Sequence, residues 1–286
     1  MILVTGASGR IGSRVSELLS VSGQRLRLMS REPGKIKPFR GAEIVYGDFR
    51  DVPSLDAGFA GVDTALVISG KAPPGDRAEQ HRNAFDAARR SGVRHVVYLS
   101  LEGASHESRY PYNRDHCVSE EYLAATKIPC TILRDSFYME MFIDEFDASG
   151  VIRGPAGTGR GAFVARESVA LTVTAVLKNP PGGVRDVTGP QALTVDEVAR
   201  RFSALVGRRL SYEPESATAM TERLRAAGVP QQQIELKVGW FEAIAAGELA
   251  HPSDCVRRFT GVSALTLEEN FTRFPNLLAP LRPQGE

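Results

Sequence analysis

The sequence predicts an α/β protein built on a doubly wound parallel sheet. In the first half of the chain, short apolar runs alternate with stretches whose apolar residues recur at helical spacing. A short apolar run bounded by glycine or polar residues is typical of a strand that is buried on both faces. Six such runs, most of them separated by a helix pattern, favour parallel strands with helices on both faces of the sheet.

The elements follow one another in a regular order. The predicted strands lie at 2–5, 25–29, 43–46, 64–68, 96–99 and 130–133, with an edge strand at 184–187. The predicted helices begin at Ile11 and cover 76–90, 115–125 and 169–177. The right-handed crossovers of such a chain place its helices on both faces of the sheet.

Beyond residue 134 the regular alternation of strand and helix patterns ends. Residues 135–163 are rich in Phe, Tyr, Met and Gly without a clear period, which indicates a segment on the substrate side of a cleft. The T-x-x-E sequences at 194–197 and 266–269 have the form of a capping box, so each predicts a helix start, and a further helix is predicted over 232–246. We therefore predict a first domain at 1–134, completed by 164–188, and a smaller C-terminal α/β lobe formed by 135–163 and 189–286.

Composition and charge exclude several classes of protein. Hydrophobic residues make up 42% and charged residues 24% of the 286 residues, as in an average globular protein, which excludes a disordered or fibrous chain. The 35 basic and 34 acidic residues leave a net charge of +1, which gives no reason to expect nucleic acid or an anionic membrane as a partner. No apolar run approaches the roughly 18 residues that a membrane helix requires.

The cysteines and the first residues favour a cytoplasmic protein. The cysteines Cys117, Cys130 and Cys255 are odd in number and widely spaced, and they match neither a disulfide framework nor a metal-ligand pattern. The chain starts on an apolar strand without a basic leader, which argues against export. We expect no metal, and a monomer and a homodimer are equally compatible with the sequence.

A glycine-rich loop directly after the first strand is the strongest functional signal. Its residues are Gly6, Ser8, Gly9, Arg10, Ile11 and Gly12, with Ala7 between the first two. A G-x-x-G-x-x-G loop alone is common, but here it lies between a strand and an amphipathic helix, as a dinucleotide site requires. Glycines allow a tight turn and a close approach of the backbone, and the N–H groups at the helix start bind a diphosphate. The alternative is a strand-to-helix turn without a ligand.

The end of the second strand favours NADPH over NADH. NAD-specific sites place a carboxylate about 20 residues past the loop, where it binds the ribose 2′-hydroxyl. Here Ser30 and Arg31 occupy this strand end, and Arg31 can form a charge-assisted fork on a 2′-phosphate, together with Arg10 and Lys35. Each of these three cations is alternatively an ordinary solvated surface charge, so NADH stays possible.

The ends of two further strands supply candidate cofactor contacts. Asp48 and Phe49 follow the third strand. We expect Asp48 either to accept a hydrogen bond from the adenine amino group or to serve as a turn residue and helix cap, while Phe49 lines the adenine pocket. Ser69 and Gly70 close the fourth strand, where small residues allow a cofactor to lie across the strand ends.

These segments together resemble a known family. The sequences ILVTGASGRIG, SREPGK, GDF, LVISG and IPCTILRDSFYMEMF are similar to those of the atypical short-chain dehydrogenase/reductases of the NmrA-like group. Within that group the chain most resembles the type 2 quinone oxidoreductase and triphenylmethane reductase branch. The resemblance covers the N-terminal domain and, weakly, the C-terminal lobe. It implies an NADPH-binding Rossmann domain, a small C-terminal lobe and a substrate in the cleft between them.

The candidate catalytic residues depart from the pattern of the wider superfamily. Ordinary short-chain dehydrogenases use a serine and a Tyr-x-x-x-Lys pair, whereas this chain has Ser100 after the fifth strand and a Y-x-x-x-H pair at Tyr112 and His116. The quinone-reductase branch also resembles this chain in having histidine there. We expect His116 to donate a proton to the reduced acceptor or to hold the nicotinamide ribose, or else to be a helix-start histidine satisfied by a backbone carbonyl. Tyr112 is the second candidate proton donor.

An aromatic segment after the sixth strand supplies the candidate substrate contacts. Tyr138, Met141 and Phe142 can stack on a flat aromatic molecule, and the alternative is that they belong to the core. We therefore predict an NADPH-dependent reductase that passes hydride to a small conjugated or aromatic acceptor such as a quinone. The alternative is a non-catalytic NADP(H)-sensing regulator, a type of protein that the resembled family also includes.

Overall fold

Strands and helices alternate through most of the chain in the computed structural model, which describes residues 1–70 and 72–282. The strands are β1 (Ile2–Val4), β2 (Leu26–Ser30), β3 (Glu43–Tyr46), β4 (Thr64–Ile68), β5 (His95–Leu101), β6 (Cys130–Asp135), β7 (Val151–Gly154), β8 (Arg160–Gly161), β9 (Gly183–Val187), β10 (Leu193–Thr194) and β11 (Ser211–Pro214). The helices are α1 (Arg10–Ser20), α2 (Val52–Phe59), α3 (Asp76–Arg90), α4 (Pro111–Ala125), α5 (Arg166–Lys178), α6 (Val195–Val206), α7 (Ala217–Ala226), α8 (Gln231–Ala245), α9 (Cys255–Thr260) and α10 (Leu267–Arg273). Short 3₁₀ helices lie at Pro33–Lys35, Met139–Glu145 and Pro275–Leu281.

One sheet of seven parallel strands has the order β3-β2-β1-β4-β5-β6-β9. Because all seven strands run in the same direction, their carboxyl ends meet at a single edge of the sheet. The strand order reverses between β1 and β4, and ligands of open α/β sheets bind in the crevice at such a switch point. The predicted doubly wound parallel sheet is confirmed, and β9 pairs with β6 as the predicted edge strand.

Helices cover both faces of this sheet because its strands are apolar on both faces. On one face, α1 and α5 bury Val15 and Val173 in a core that they share with the strands. On the other face, α2, α3 and α4 bury Phe59, Phe85 and Leu123. Since α1 follows β1 and α5 leads into β9, the amino ends of both helices lie at the carboxyl edge of the sheet.

A third core fills the C-terminal part of the chain. Its largest members are aromatic, and Phe142, Phe202, Trp240, Phe241 and Phe271 are all nearly or fully buried there. Two small sheets accompany this core, one joining β7 to β11 in parallel and one joining β8 to β10 in antiparallel orientation. The predicted division of the chain into two domains stays a prediction. No helix within residues 1–70 and 72–282 has both the length and the apolar character needed to cross a membrane.

Two helices begin at least three residues earlier than the sequence predicts. Helix α4 begins at Pro111 rather than at 115, because the fixed φ of proline suits the first turn of a helix. Helix α5 begins at Arg166 rather than at 169. The earlier start of α4 places Tyr112 and His116 on the same side of one helix, one turn apart. Both predicted capping boxes are present, at the starts of α6 and α10.

Candidate active site

The glycine-rich loop leaves β1 at the switch point and turns directly into α1. Gly6 has a φ of 61°, in the left-handed region that favours glycine, and its carbonyl accepts a hydrogen bond of 2.9 Å from the backbone N–H of Gly9. A Cβ on Gly12 would lie 2.3 Å from the carbonyl oxygen of Gly6, so only glycine lets α1 pack this closely. The N-cap residue Gly9 offers no side chain to the first N–H groups of α1, which leaves these donors for a ligand.

The end of β2 lies beside this loop. Ser8 Oγ is 2.7 Å from Ser30 Oγ, and the backbone N–H of Ala7 donates to the carbonyl of Met29 at 3.1 Å. The next residue, Arg31, has an exposed side chain. The loop and the end of β2 therefore form one continuous surface, as the binding of an adenosine diphosphate moiety requires.

Asp48 has the geometry of a turn residue, which is one of the two roles that the sequence predicts for it. Its carboxylate accepts a hydrogen bond of 3.0 Å from the backbone N–H of Arg50, and it pairs with the Arg50 guanidinium at 2.7 Å. This guanidinium holds the pKa of Asp48 below its ordinary value, and Arg31 contributes to the same effect. The ring of Phe49 lies edge-on to that of His81, with centroids 6.3 Å apart. Contacts of Asp48 and Phe49 with adenine stay predictions.

The three cations that the sequence places together have different surroundings. Arg31 lies close enough to Asp48 to affect its pKa. Lys35 Nζ pairs with Glu32 Oε1 at 2.5 Å, and both side chains are exposed to solvent. Arg10 lines a cavity on the side of α5. Contacts of Arg31, Lys35 and Arg10 with a 2′-phosphate stay predictions.

Ser69, at the end of β4, belongs to a closed ring of hydrogen bonds. Its Oγ lies 2.9 Å from His81 Nε2, and His81 Nδ1 lies 3.0 Å from the hydroxyl of Tyr98. The Tyr98 hydroxyl is 2.7 Å from His116 Nδ1, and His116 Nε2 returns to Ser69 Oγ at 3.5 Å. Arg77 Nη1 lies 3.4 Å from His116 Nε2, and because a guanidinium can only donate, His116 Nε2 is an acceptor. His116 Nδ1–H therefore donates to the Tyr98 hydroxyl, this hydroxyl donates to His81 Nδ1, and His81 Nε2–H donates to Ser69 Oγ.

Burial keeps both histidines of this ring neutral. His116 is 2% exposed, and its burial, with His81 and Arg77 nearby, lowers its pKa well below the ordinary value. Burial lowers the pKa of His81 to about 3. The partners of His116 are the side chains of Tyr98, Arg77 and Ser69 rather than the backbone carbonyl expected in one interpretation. His116 therefore reaches the strand end through Ser69.

The neutral histidines should make the protein sensitive to mild acid. Below about pH 6.5 the unfolded chain takes up protons that the folded protein does not bind, so the free energy of unfolding should fall by about 1.4 kcal/mol per pH unit for each histidine. Replacing His81 with glutamine should remove one such contribution. Urea unfolding of both proteins at several pH values checks this, because the other titrating groups contribute equally to the two. A difference between the two proteins that does not vary with pH would contradict the burial of a neutral imidazole.

Tyr112 lies on the first turn of α4 with both its ring and its hydroxyl engaged. The hydroxyl donates to the backbone carbonyl of Ala72 at 3.0 Å, and the Arg77 guanidinium lies 3.6 Å from the ring centroid. Arg77 Nη1 in turn lies 3.4 Å from His116 Nε2. The two residues of the Y-x-x-x-H pair are thus joined through Arg77 rather than by a direct hydrogen bond.

Ser100 is placed apart from this pair. It is 1% exposed, and its hydroxyl donates to Glu120 Oε1 at 2.5 Å. Glu120 is in an ion pair with Arg134, with 2.6 Å between Oε2 and Nη2. The structure therefore assigns the Ser100 hydroxyl to the orientation of a carboxylate, and a catalytic role for Ser100 stays a prediction.

Two buried carboxyl groups at the carboxyl edge of the sheet were missed by sequence reasoning. Asp135, the last residue of β6, accepts a hydrogen bond from the hydroxyl of Tyr138, and burial raises its pKa to about 8. Glu102 follows β5, and burial raises its pKa to about 7. Carboxyl groups that titrate near neutral pH are common at functional sites. The available signal was an acidic residue directly after each apolar strand.

The three candidate substrate contacts lie at different depths. Tyr138 and Met141 are half-buried, and the Arg166 guanidinium lies 5.1 Å from the centroid of the Tyr138 ring. Phe142 is fully buried and packs against Phe163 and Trp240, with centroids 4.7 and 5.2 Å away. The prediction that Phe142 contacts the substrate does not match this position, because its ring belongs to the core. Direct contacts of Tyr138 and Met141 stay predictions.

A cavity of about 560 Å³ opens beside the glycine-rich loop. Its walls come from the start of α1, the 3₁₀ helix after β6, the start of α5 and the last described segment of the chain. The lining residues are Arg10, Arg14, Glu140, Ile143, Asp144, Arg166, Glu167, Phe274, Asn276, Leu277, Ala279 and Pro280. This volume is within the range of sites that bind small organic molecules.

One cluster of possible metal ligands lies at the surface. The ligand atoms of His106, Cys117 and Glu121 are within 4.8 Å of one another, although their sequence spacing indicates no metal site. His106 Nε2 and Glu121 Oε1 are 2.9 Å apart, which is an ordinary surface contact. The absence of a metal cofactor therefore stays a prediction.

Comparison with known proteins identifies the family. A family model described as NAD(P)H-binding matches residues 6–180. The chain belongs to this NAD(P)H-binding family. Quinone oxidoreductase 2 of Escherichia coli (strain K12) is 28% identical over 97% of this chain and 99% of that protein. NAD(P)H azoreductase of Xenophilus azovorans is 28% identical over 94% of this chain and 96% of that protein.

A solved structure of this NAD(P)H-binding fold is also similar along nearly the whole chain. The triphenylmethane reductase of Citrobacter sp. complexed with NADP(H) has a TM-score of 0.85 and 30% identity, and covers 96% of this chain and 99% of that chain. The resemblance predicted from the sequence is confirmed. In an NAD(P)H-binding sheet of this type, the diphosphate lies at the amino end of the first helix, and the two nucleoside halves extend to either side of the switch point.

Proposed function

We propose that the protein is an NADPH-dependent reductase that transfers hydride to a small conjugated or aromatic acceptor such as a quinone. The proposal rests on the glycine-rich loop, which packs closely on α1. The N–H groups at the start of α1 can bind a diphosphate, and a cavity large enough for such an acceptor lies beside them. The named activities of the relatives, a quinone oxidoreductase, an azoreductase and a triphenylmethane reductase, support the same chemistry.

Residues at the ends of different strands bind different parts of the cofactor. The loop from Gly6 to Gly12 binds the diphosphate, and Arg31 binds the 2′-phosphate with Lys35 at its side. Asp48 and Phe49 border the adenine. Ser69 and Gly70 lie under the nicotinamide half, at the end of β4, where the ring of buried hydrogen bonds fixes the Ser69 hydroxyl.

NADPH supplies the hydride, and the protein orients the acceptor and excludes water from it. His116 acts as a positioning residue, because its imidazole is buried and connects to the strand end through Ser69. The reduced quinone oxygens take protons from solvent or from a nearby group. Tyr138, held by Asp135, and Met141 border the acceptor.

A non-catalytic NADP(H) sensor is the second candidate function. It is favoured by the engagement of the candidate catalytic side chains, since the hydroxyl of Ser100 is committed to Glu120 and that of Tyr112 to a backbone carbonyl. The two functions differ in turnover and share the cofactor site.

The decisive experiment measures NADPH oxidation by the purified protein with quinones, azo dyes and triphenylmethane dyes as acceptors. We expect saturable turnover with at least one aromatic acceptor. Tight NADPH binding without turnover of any acceptor would support the sensor instead. The lack of saturable binding of either NADPH or NADH would overturn both functions.

We also propose a reducing, cytoplasmic location. All three cysteines are free thiols, and burial raises the pKa of Cys255 to about 11, which keeps this thiol protonated and unreactive. A protein with three unpaired cysteines fits a compartment that keeps thiols reduced.

A further inference from the structure

Two guanidinium groups without an acidic partner face the cavity beside the glycine-rich loop. Arg10 stands at the start of α1 and Arg166 at the start of α5. A third arginine of the cavity, Arg14, is bound by Glu167 through two contacts of 2.8 Å. Within residues 1–70 and 72–282, neither Arg10 nor Arg166 has a carboxylate at ion-pair distance, so their charges are available to a ligand.

Arg166 is held in place by its surroundings. Its guanidinium lies over the ring of Tyr138, at 5.1 Å from the centroid, and the side chain is half-buried. Arg10 and Arg166 line the same cavity. Burial lowers the pKa of Arg166, the charge of Glu140 opposes this shift, and the like charge of Arg10 adds to it. Two neighbouring cations repel each other, and an anion between them relieves this repulsion.

Two acidic residues of the cavity, Glu140 and Asp144, lie near this pair of arginines without forming an ion pair with it in the described part of the chain. Glu140 is buried, and its carboxylate accepts from the backbone N–H of Arg166 at 3.0 Å and from Asn270 Nδ2 at 3.3 Å. Burial raises the pKa of Glu140, and the charge of Arg166 opposes this shift. Asp144 is exposed to solvent at the edge of the cavity.

Much of the remaining lining of the cavity is apolar. This apolar part is formed by Ile143 together with Phe274, Leu277, Ala279 and Pro280 from the last described segment. An aromatic hydrocarbon fits such a wall, whereas a diphosphate does not. The cavity thus combines an apolar surface with a cationic pole, next to the loop at which the cofactor is proposed to bind.

We propose that this cavity is an acceptor subsite that selects aromatic molecules carrying a carboxylate or a sulfonate, with the anionic group bound by Arg166 and Arg10. The inference rests on the proposed reductase function and names its substrate class. A charge-assisted fork from one or both guanidiniums orients the acceptor, while the hydrocarbon part lies against Phe274 and Leu277. Cationic dyes are disfavoured in the same cavity by charge repulsion.

The test compares naphthoquinone sulfonate with unsubstituted naphthoquinone as acceptors, with NADPH saturating. We expect Arg166→Gln to raise the KM for the sulfonate about tenfold and to change the KM for the unsubstituted quinone by less than about twofold. Arg166→Lys keeps the charge without the fork and should have a smaller effect. Lys178→Gln is the matched control, because it removes one positive charge from the opposite end of α5, outside the cavity.

Two results would overturn the subsite. One is an equal rise of KM for both quinones together with weaker NADPH binding, which would place Arg166 on the cofactor. The other is an unchanged KM for the sulfonate in Arg166→Gln and in Arg10→Gln. If no acceptor is turned over, the proposed function fails, but calorimetric titration of the NADPH-loaded protein with naphthoquinone sulfonate still tests the subsite. Binding of the sulfonate that is weakened by Arg166→Gln supports the subsite. The lack of sulfonate binding refutes it.

Discussion

Replacing Gly12 with alanine is expected to abolish cofactor binding at ordinary NADPH concentrations. The new Cβ would lie 2.3 Å from the carbonyl oxygen and 2.8 Å from the carbonyl carbon of Gly6. These are backbone atoms, which cannot rotate away as a side chain can, so the loop has to move off α1. Because the loop and the first N–H groups of α1 bind the diphosphate together, we expect the Kd for NADPH to rise at least about 100-fold, equivalent to one or two charge-assisted hydrogen bonds.

Calorimetric titration of the variant with NADPH measures this effect, and Gly34→Ala provides the control. Gly34 lies in the 3₁₀ helix after β2, and no heavy atom lies within 4 Å of a Cβ built on it. Its replacement should leave the Kd unchanged within about twofold. If Gly12→Ala retains the affinity of Gly34→Ala, the close packing of the loop has no part in binding and the assignment of the diphosphate site is wrong.

The parallel sheet could be predicted because its signals are local in the sequence. Each central strand is an apolar run of a few residues, and each capping box, such as that of Thr194 and Glu197, is complete within four residues. The short strands of the C-terminal part carry no such signal. Val151 pairs with Ser211, a partner that only the folded chain brings near. Helix α2 contains Pro53 and Gly58, which interrupt the pattern by which a helix is recognised.

In the candidate site too, the parts that are contiguous in the sequence were predictable and the parts that join distant residues were not. The glycine-rich loop was predictable because its strand, turn and helix are contiguous. The ring of Ser69, His81, Tyr98 and His116 was not, since its members come from four elements and each residue alone looks unremarkable in the sequence. The pairing of the start of α1 with the start of α5 likewise depends on the order of the strands in the sheet, which places both helices on one face.

Replacing Arg31 with alanine is expected to shift the cofactor preference from NADPH towards NADH. Arg31 directly follows β2, its side chain is exposed, and its neighbour Glu32 is already bound by Lys35. A guanidinium on a 2′-phosphate forms charge-assisted hydrogen bonds that contribute about 1.5–3 kcal/mol. The KM for NADPH should therefore rise about 10- to 150-fold, whereas the KM for NADH should stay the same because NADH carries no 2′-phosphate. Steady-state rates with one acceptor and both cofactors give the ratio of the two KM values.

The comparison of the two cofactors separates this assignment from a general effect of charge. Lys35→Ala removes the same charge from the same end of β2, but its ammonium is engaged with Glu32, so we expect a smaller change in the ratio. Arg31→Lys keeps the charge and loses the fork, so its ratio should lie between those of the wild type and Arg31→Ala. Because the contact is exposed, added salt should weaken NADPH binding more than NADH binding in the wild type and equally in Arg31→Ala. A parallel rise of both KM values in Arg31→Ala would mean that the guanidinium contacts a part that the two cofactors share, and the preference for NADPH would then need another cation.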